Sequence, residues 1–209
     1  MNKADVILFL REKLNFSNKS IEKLDIFHDT LVKANLKHNL IAKSTIKSIW
    51  FRHILDSAQL LKHMKLAQNL IISDLGTGAG FPGLILAIYG ESIPFHVKLY
   101  EKSPVKRAFL DEICVLLNLK NTEILDNVYK SKLKSDIFVC RAFKKFDEIL
   151  KISRENIKGK HKFLILKGKN AEKEIKEVSL KINYRYRLVK SLTDTESKII
   201  MMDNINNDI

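Results

Sequence analysis

Apolar positions recur at helical spacing through the first third of the chain. Val6, Leu10 and Leu14 lie four residues apart, which places them on one face of a helix. Residues 1–66 are therefore predicted to form an N-terminal helical layer. Its three helices are predicted over residues 4–14, from Ser20 to about Leu31, and from Ser44 or Thr45 to about Met64, with residues 35–44 as a loop.

Beyond residue 69 the pattern changes to short apolar runs that alternate with amphipathic stretches. The runs predict strands at residues 70–75, 94–100, 122–125, 136–140 and 161–166, and the stretches predict helices at 82–89, 104–118 and 146–157. Strands that alternate with helices indicate a mostly parallel sheet with right-handed crossovers.

The last part of the chain follows a different pattern. A charged helix over about 170–180 is followed by two strands, 184–189 and 198–202, joined by a short turn, which predicts an antiparallel pair at one edge of the sheet. The fold class predicted for residues 67–209 is α/β with a seven-stranded sheet. We expect it to form one compact unit with the layer of residues 1–66.

A glycine-rich turn connects the first predicted strand to the first helix of this region. Four of the chain's seven glycines fall within residues 76–83, directly after the apolar run, and Pro82 suits the first position of a helix. Glycine serves where the backbone needs positive φ or where no side chain can stand between main chain and ligand. Because amides at a helix N-terminus attract anionic or polar groups, the turn predicts a cofactor site.

Two cofactor templates fit this turn. Residues 78–83 match GxGxxG, the dinucleotide pattern, and residues 74–80 match DxGxGxG, which suits S-adenosylmethionine. Glu101 ends the second strand, where a carboxylate can bind the hydroxyls of a ribose in either cofactor. The antiparallel edge pair favours S-adenosylmethionine, with Asp74 available for the polar methionine end. An NAD(P)-dependent oxidoreductase is the alternative, although no convincing site for hydride transfer accompanies it.

The charge balance favours an anionic partner. The 37 Lys and Arg outnumber the 24 Asp and Glu, which gives a net charge of +13. Basic proteins bind nucleic acids because phosphate neutralisation releases counterions, although a generally lysine-rich composition would give the same balance. The two cysteines, Cys114 and Cys140, lie in apolar runs without a CxxC pattern, so neither a disulfide framework nor a metal site is expected. Without a signal peptide or a membrane-length apolar run, we expect a cytoplasmic protein.

Several segments recur in the order typical of one family. They are Asn39-Leu, Arg52-His-Ile-Leu-Asp-Ser57, Asp74-Leu-Gly-Thr-Gly-Ala-Gly-Phe-Pro-Gly83, Cys140-Arg-Ala142 and Leu166-Lys-Gly168. Over about residues 35–170 the chain resembles the bacterial 16S ribosomal RNA guanine-N7 methyltransferases, also called the glucose-inhibited division protein B family. The resemblance implies a Rossmann-like methyltransferase fold, S-adenosylmethionine as cofactor, and methyl transfer to N7 of a guanine in 16S ribosomal RNA.

The resemblance also implies a set of cofactor residues. The cofactor would contact the glycine turn, the second strand end, the segment after the third strand and the fourth strand end: Asp74, Gly76, Gly78, Phe81, Glu101, Tyr129, Lys130 and Arg141. The segment Val128-Tyr-Lys130 stands where family members usually carry Arg-Ala-Glu, and Glu196-Ser-Lys198 stands where they carry Glu-Arg-His.

Arg141 and Lys167 are the candidate catalytic residues, because both follow apolar runs at carboxyl strand ends. Arg52, His53 and Lys167 are the candidates for RNA contact, although a helix-surface pair of Arg52 with Asp56 and a solvated Lys167 are the plainer alternatives.

The N7 atom of guanine carries a free lone pair, so neither Arg141 nor Lys167 is assigned to proton transfer. The expected partner is 16S ribosomal RNA or the small ribosomal subunit. We expect the protein to act as a monomer, without a metal ion or a membrane. A catalytically decayed RNA-binding protein of ribosome assembly is the second alternative.

Overall fold

A computed structural model describes residues 1–90, 93, 95–130, 132–178 and 184–204. Seven strands are present in this part of the chain: β1 (Ile71–Leu75), β2 (His96–Tyr100), β3 (Thr122–Leu125), β4 (Ile137–Arg141), β5 (Lys162–Lys167), β6 (Tyr184–Lys190) and β7 (Lys198–Asn204). The α-helices in the same ranges are α1 (Lys3–Leu14), α2 (Asn18–His38), α3 (Asp56–Ala58), α4 (Gly83–Tyr89), α5 (Pro104–Leu116), α6 (Phe146–Asn156) and α7 (Ala171–Val178).

The strands form one sheet in the order β3-β2-β1-β4-β5-β7-β6. The first five strands are parallel, while β7 runs antiparallel to both β5 and β6. The predicted mostly parallel sheet and its antiparallel edge pair are therefore confirmed. The charged helix predicted over 170–180 is observed as α7, and residues 179 and 180 lie outside the described part of the chain.

One local expectation in the N-terminal layer is wrong, and the third helix is found where it was predicted but with mixed winding. Residues 35–38, predicted within a loop, continue α2, which ends where Asn39 adopts the left-handed conformation. The third helix is not uniformly α-helical: 3₁₀ turns at Lys43–Ser48 and Gln59–His63 flank a π-helical turn at Trp50–Leu55 and the short α3. Apolar spacing predicts a helix, but over stretches of five or six residues it does not separate windings whose amides bond to carbonyls three, four or five residues away.

The sheet packs between two apolar layers. The N-terminal layer, α4 and α5 cover one face, and the rings of Phe27 and Phe81, from α2 and the glycine turn, lie 5.4 Å apart there. Helices α6 and α7 cover the other face, where Phe138 stacks on Phe163 at 5.3 Å. Since the first cluster joins residues from both sides of position 66, the N-terminal layer and the sheet share a core. The boundary at 66/67 stays a prediction.

Candidate functional site

A cavity of about 770 Å³ opens at the carboxyl ends of the parallel strands. Open parallel sheets bind ligands at this edge, because the loops after successive strands meet there. The cavity is bounded by the glycine turn, the ends of β2, β4 and β5, the loop after β3, and the helical segment 43–63. Among the predicted site residues, those that line it are Arg52, His53, Gly76, Gly78, Phe81, Glu101, Tyr129, Arg141 and Lys167.

Gly78 is the glycine that leaves main chain open to the cavity. Its φ of +62° is a conformation that side-chain-bearing residues rarely adopt, and a Cβ built there would meet no atom within 4 Å. At Gly83 the reason for glycine is different, because a Cβ there would lie 2.3 Å from Leu99 and 2.8 Å from an oxygen of Asp74. The turn therefore uses glycine for ligand approach at one position and for packing at the other.

Asp74 lies beneath the turn and does not line the cavity. It is fully buried, and its Oδ2 accepts a hydrogen bond of 2.7 Å from the Gly83 amide at the start of α4. Burial raises the pKa of Asp74 to about 7. The predicted contact of Asp74 with the cofactor has no support in this placement, because the carboxylate is used to hold the turn against the helix.

Glu101 lines the cavity from the end of β2. Its Oε2 accepts from the Gly78 amide at 2.9 Å, and its Oε1 accepts from the Ser103 amide at 2.8 Å. A carboxylate offers about four lone-pair positions, so two remain after these bonds. Glu101 thus fixes the glycine turn and keeps acceptor capacity for a ligand.

Arg107, to which the sequence assigned only a solvated position beside Glu101, braces the same region. Its Nη1 donates to the carbonyls of Glu101 and Lys102, at 2.8 and 2.9 Å, and to Asp126 at 3.1 Å. These bonds tie the loop after β2 to the loop after β3. The i to i+6 spacing from Glu101 to Arg107 gives no recognisable signal, because the chain turns between them.

Arg141 is held by the helical segment of the N-terminal layer. Its Nη1 donates to the Arg52 carbonyl at 3.0 Å and lies 3.4 Å from Asp56, and its Nη2 donates to Nδ1 of His53 at 2.7 Å. Its guanidinium also lies 5.0 Å from the centre of the Phe81 ring. Three donor interactions are therefore used inside the protein. The arrangement makes Arg141 a clamp between β4 and the π-helical turn, not a freely projecting cation.

The same contacts determine the protonation state and the tautomer of His53. Burial, with the charges of Arg141 and Arg52, lowers the pKa of His53 to about 3, so the ring is neutral at pH 7. Arginine can only donate, so Nδ1 of His53 accepts and Nε2 carries the proton, which it donates to Thr45 Oγ1 at 2.8 Å. The centroids of the His53 and Phe81 rings lie 5.0 Å apart, with the two ring planes tilted by 35°.

Asp56 connects the clamp to the turn between β6 and β7. Its Oδ1 accepts from Thr193 Oγ1 at 2.5 Å and from Gln59 Nε2 at 2.8 Å, and Gln59 Oε1 accepts from the Leu192 amide at 2.8 Å. The suggested pairing of Asp56 with Arg52 is wrong, because Asp56 pairs with Arg141. The Arg52 side chain is exposed at the cavity rim, and the described residues give it no bond of its own.

Lys167 reaches the cavity from the end of β5 but is internally bonded. Its ammonium donates to the Lys144 carbonyl at 2.6 Å and to Glu174 at 2.7 Å, with 13% of the side chain exposed. A solvated lysine, the plainer alternative, is therefore wrong. The ammonium links β5 to α7 and retains one further donor.

The loop after β3 contributes unevenly. Asn127, Val128 and Tyr129 line the cavity, and Tyr129 is half exposed. Lys130 does not line it, because its side chain pairs with Asp126 on the same loop. The prediction of Lys130 as a cofactor residue thus has no support in its position.

Comparison with known proteins identifies this arrangement. The model of the family described as rRNA small subunit methyltransferase G matches residues 20–201. The chain belongs to that family. It is 38% identical to the Ribosomal RNA small subunit methyltransferase G of Orientia tsutsugamushi (strain Ikeda), over 92% of this chain and 94% of the relative. It is 34% identical to the protein of the same name from Rickettsia bellii (strain OSU 85-389), over 92% and 97% of the two chains.

Solved structures show the same fold at low identity. A SAM-dependent methyltransferase from Aquifex aeolicus superposes with a TM-score of 0.58 at 17% identity, over 84% of this chain and 97% of that one. A precorrin-6y methyltransferase from Geobacter metallireducens gives 0.54 at 13% identity, over 79% and 90%. The predicted family, methyltransferase class and Rossmann-like fold are confirmed, and the comparisons give no support to an oxidoreductase.

Metal-binding clusters and membrane-spanning helices are both absent from the residues that the structure describes. No group of three or more His, Cys, Asp or Glu side chains is placed to hold a metal ion. None of the described helices combines the length and apolar character that a membrane crossing requires.

Proposed function

We propose that this chain transfers the methyl group of S-adenosylmethionine to N7 of a guanine in small-subunit ribosomal RNA. The observation that supports this proposal most directly is the family match over residues 20–201. The residues that line the cavity at the sheet's carboxyl edge all lie within that range. The named relatives are ribosomal RNA small subunit methyltransferases, and the N7 position comes from the sequence resemblance. Action as a monomer in the cytoplasm stays a prediction.

The residues at the cavity fit S-adenosylmethionine. The open main chain at Gly78 leaves room for a ligand against the turn, and Glu101 offers acceptors to ribose hydroxyls beside it. The ring of Phe81 lines the same side of the cavity. We assign these three residues, with Gly76 and the main chain at Val128 and Tyr129, to cofactor binding.

When bound, S-adenosylmethionine supplies an electrophilic methyl group on a sulfonium. Guanine N7 has a lone pair at neutral pH, so the protein has no proton to remove from the attacking atom. His53 agrees with that chemistry, because its pKa of about 3 and its two hydrogen bonds leave it unsuited as a general base. The protein's contribution is to position the reactants, which can supply up to about 7–11 kcal/mol.

Arg141 is the central positioning residue in this proposal. Its bonds to His53 and Asp56 and its place beside Phe81 fix the wall that joins the glycine turn to the helical layer. A direct catalytic contact by Arg141 stays a prediction, and the geometry favours the indirect role.

Arg52 is the cation best placed to meet RNA at the cavity rim, because its guanidinium is exposed. Lys167 is a weaker candidate, since two of its donors are engaged. Because side chains cannot read the narrow major groove of A-form RNA, the guanine must be presented in a loop or a splayed strand.

One set of measurements tests the function. The purified protein is titrated by calorimetry with S-adenosylmethionine and with NADH, then incubated with radiolabelled S-adenosylmethionine and small ribosomal subunits or naked ribosomal RNA. We expect S-adenosylmethionine to bind, NADH not to bind, and chromatography of the digested RNA to give labelled 7-methylguanosine. Label in another nucleoside would contradict the N7 assignment. Binding of RNA without any transfer would favour the decayed RNA-binding alternative.

A further inference from the structure

A second groove lies at the opposite, amino end of the strands. It has a volume of about 680 Å³, and its cationic residues are Lys65, Lys160, Lys162, Arg185 and Arg187. Its carboxylates are Asp136 and Asp203. Asp136 accepts a hydrogen bond from the Ile71 amide, and Asp203 lies 3.5 Å from Lys162. The excess of cations makes the groove basic.

The register of the antiparallel edge produces this groove. Residues paired across neighbouring strands share a face of the sheet, so Leu166, Ile199 and Val189 form one row on the face of the N-terminal layer. Leu166 and Ile199 are buried in the core beneath that layer. This row is therefore covered.

The next two rows of paired residues extend beyond the N-terminal layer. Leu164, Met201 and Arg187 form one, and Lys162, Asp203 and Arg185 form the other. Leu164 is still buried, Met201 is partly buried, and both arginines are exposed. The result is an apolar floor bordered by guanidinium groups, in a place where the helical segment 43–63 has ended.

The cations of the groove are largely without carboxylate partners. Arg187 makes a 3.3 Å contact to the sulfur of Met201, and within the described residues Lys65, Lys160 and Arg185 have no ion pair. Arg187 lies near His63, whose pKa is lowered by burial and by the charges of Arg187 and Lys62. Several exposed cations that line one groove, most of them without an ion pair, match a partner that carries closely spaced anions.

We propose that this groove binds the ribose-phosphate backbone of the RNA substrate, away from the target guanine. The proposal rests on the proposed function, which supplies an RNA partner. The six residues of β5 span about 20 Å between the groove and the cavity, so an RNA of ribosomal size can occupy both. Phosphate contacts of this kind position a nucleic acid and carry no sequence information.

The test compares two double variants with the parent protein. Arg185→Gln/Arg187→Gln removes two groove charges, while Lys151→Gln/Lys173→Gln removes two exposed charges from α6 and α7 on the other face. Methyl transfer to small-subunit RNA and RNA binding are measured from 50 to 300 mM salt, with unfolding temperature as a check on folding.

We expect the groove variant to raise the KM for RNA about tenfold at 150 mM salt and to reduce the salt slope of log affinity by about 1.5. Its kcat at saturating RNA and its affinity for S-adenosylmethionine should equal the parent's. If the groove variant matches the helix control, the groove proposal is wrong while the function stands. If the parent itself transfers no methyl group, the proposed function fails instead.

The other occupant that the test must distinguish is a second copy of this chain. Sedimentation of the parent as a dimer and of the groove variant as a monomer, with unchanged RNA binding, would overturn the proposal in favour of a second copy of this chain.

Discussion

Cations at the two ends of one sheet differ in pairing: two at the carboxyl end are ion-paired and shielded, while most of those described in the amino-end groove are not ion-paired. At the carboxyl end, Arg141 and Lys167 are paired with Asp56 and Glu174, and less than a fifth of each cationic side chain is exposed. At the amino end, Arg185 is exposed and has no carboxylate partner among the described residues. Position in the sequence therefore does not tell whether a cation is available to a partner.

Solvent explains the difference. The carboxyl end is covered by the N-terminal layer and the loops, and a charge removed from water destabilises the protein unless it is paired. The amino end is open, so an unpaired guanidinium there costs little. We infer that the paired cations Arg141 and Lys167 shape the cofactor site, while the exposed cations of the amino-end groove, like Arg52 at the cavity rim, serve RNA.

The largest expected effect comes from filling the carboxyl-end cavity. Gly78→Val should weaken binding of S-adenosylmethionine at least about 100-fold, because its side chain would occupy space that is open beside the main chain. Calorimetric titration measures this loss. Gly159→Val is the matched control, since Gly159 also has positive φ and open space but lies away from the cavity. Equal loss in both variants would contradict the assignment.

Arg141→Ala should affect stability as well as activity. It leaves Asp56 and His53 without their partner, which should lower the free energy of unfolding by about 2–3 kcal/mol. Denaturant unfolding measures that change, and methyl transfer should fall with it. Arg52→Ala is the comparison, because Arg52 contacts Arg141 only through its carbonyl. Unchanged stability of Arg141→Ala would show that the clamp does not form.

The sequence predicts the fold well where information is local. Alternating apolar runs specify the sheet, and the cluster at Gly76–Gly83 locates the cofactor turn. The clamp was not predictable in the same way, because Asp56 meets Arg141 and Thr193 across 85 and 137 residues. The π-helical winding at 50–55 was missed for another reason: the apolar spacing of such a turn is close to that of an α-helix.

Lowering the pH should destabilise the folded protein through the buried, neutral imidazole of His53 in the same clamp. His53 has a folded-state pKa of about 3, below its ordinary value of 6.5, so the unfolded chain binds the proton first. The contribution of neutral His53 to the free energy of unfolding is fully present above pH 6.5 and is lost as the pH falls toward 3. Between pH 7 and 5 the loss amounts to up to about 2 kcal/mol. Denaturant unfolding of the parent and of His53→Gln over this range measures the difference.

Asp74 titrates in the same range with the opposite sign. Its raised pKa of about 7 makes acidification stabilising, because the unfolded chain holds its proton less tightly. Asp74 is present in both the parent and His53→Gln, so the difference between their pH profiles isolates His53. Coincident profiles would mean that His53 is not buried in its neutral form.

The smallest expected effect comes from substituting Lys167, and it tests whether a paired cation contributes to RNA binding. Lys167→Met should lower the free energy of unfolding by about 1 kcal/mol, through the lost bonds to Glu174 and the Lys144 carbonyl. It should leave the salt slope of RNA binding unchanged, because a paired ammonium releases no counterion on binding. Glu174→Gln is the companion variant: it frees the ammonium of Lys167, so the slope should steepen slightly. A slope reduced by Lys167→Met would instead restore Lys167 as an RNA contact and weaken the contrast between the two ends of the sheet.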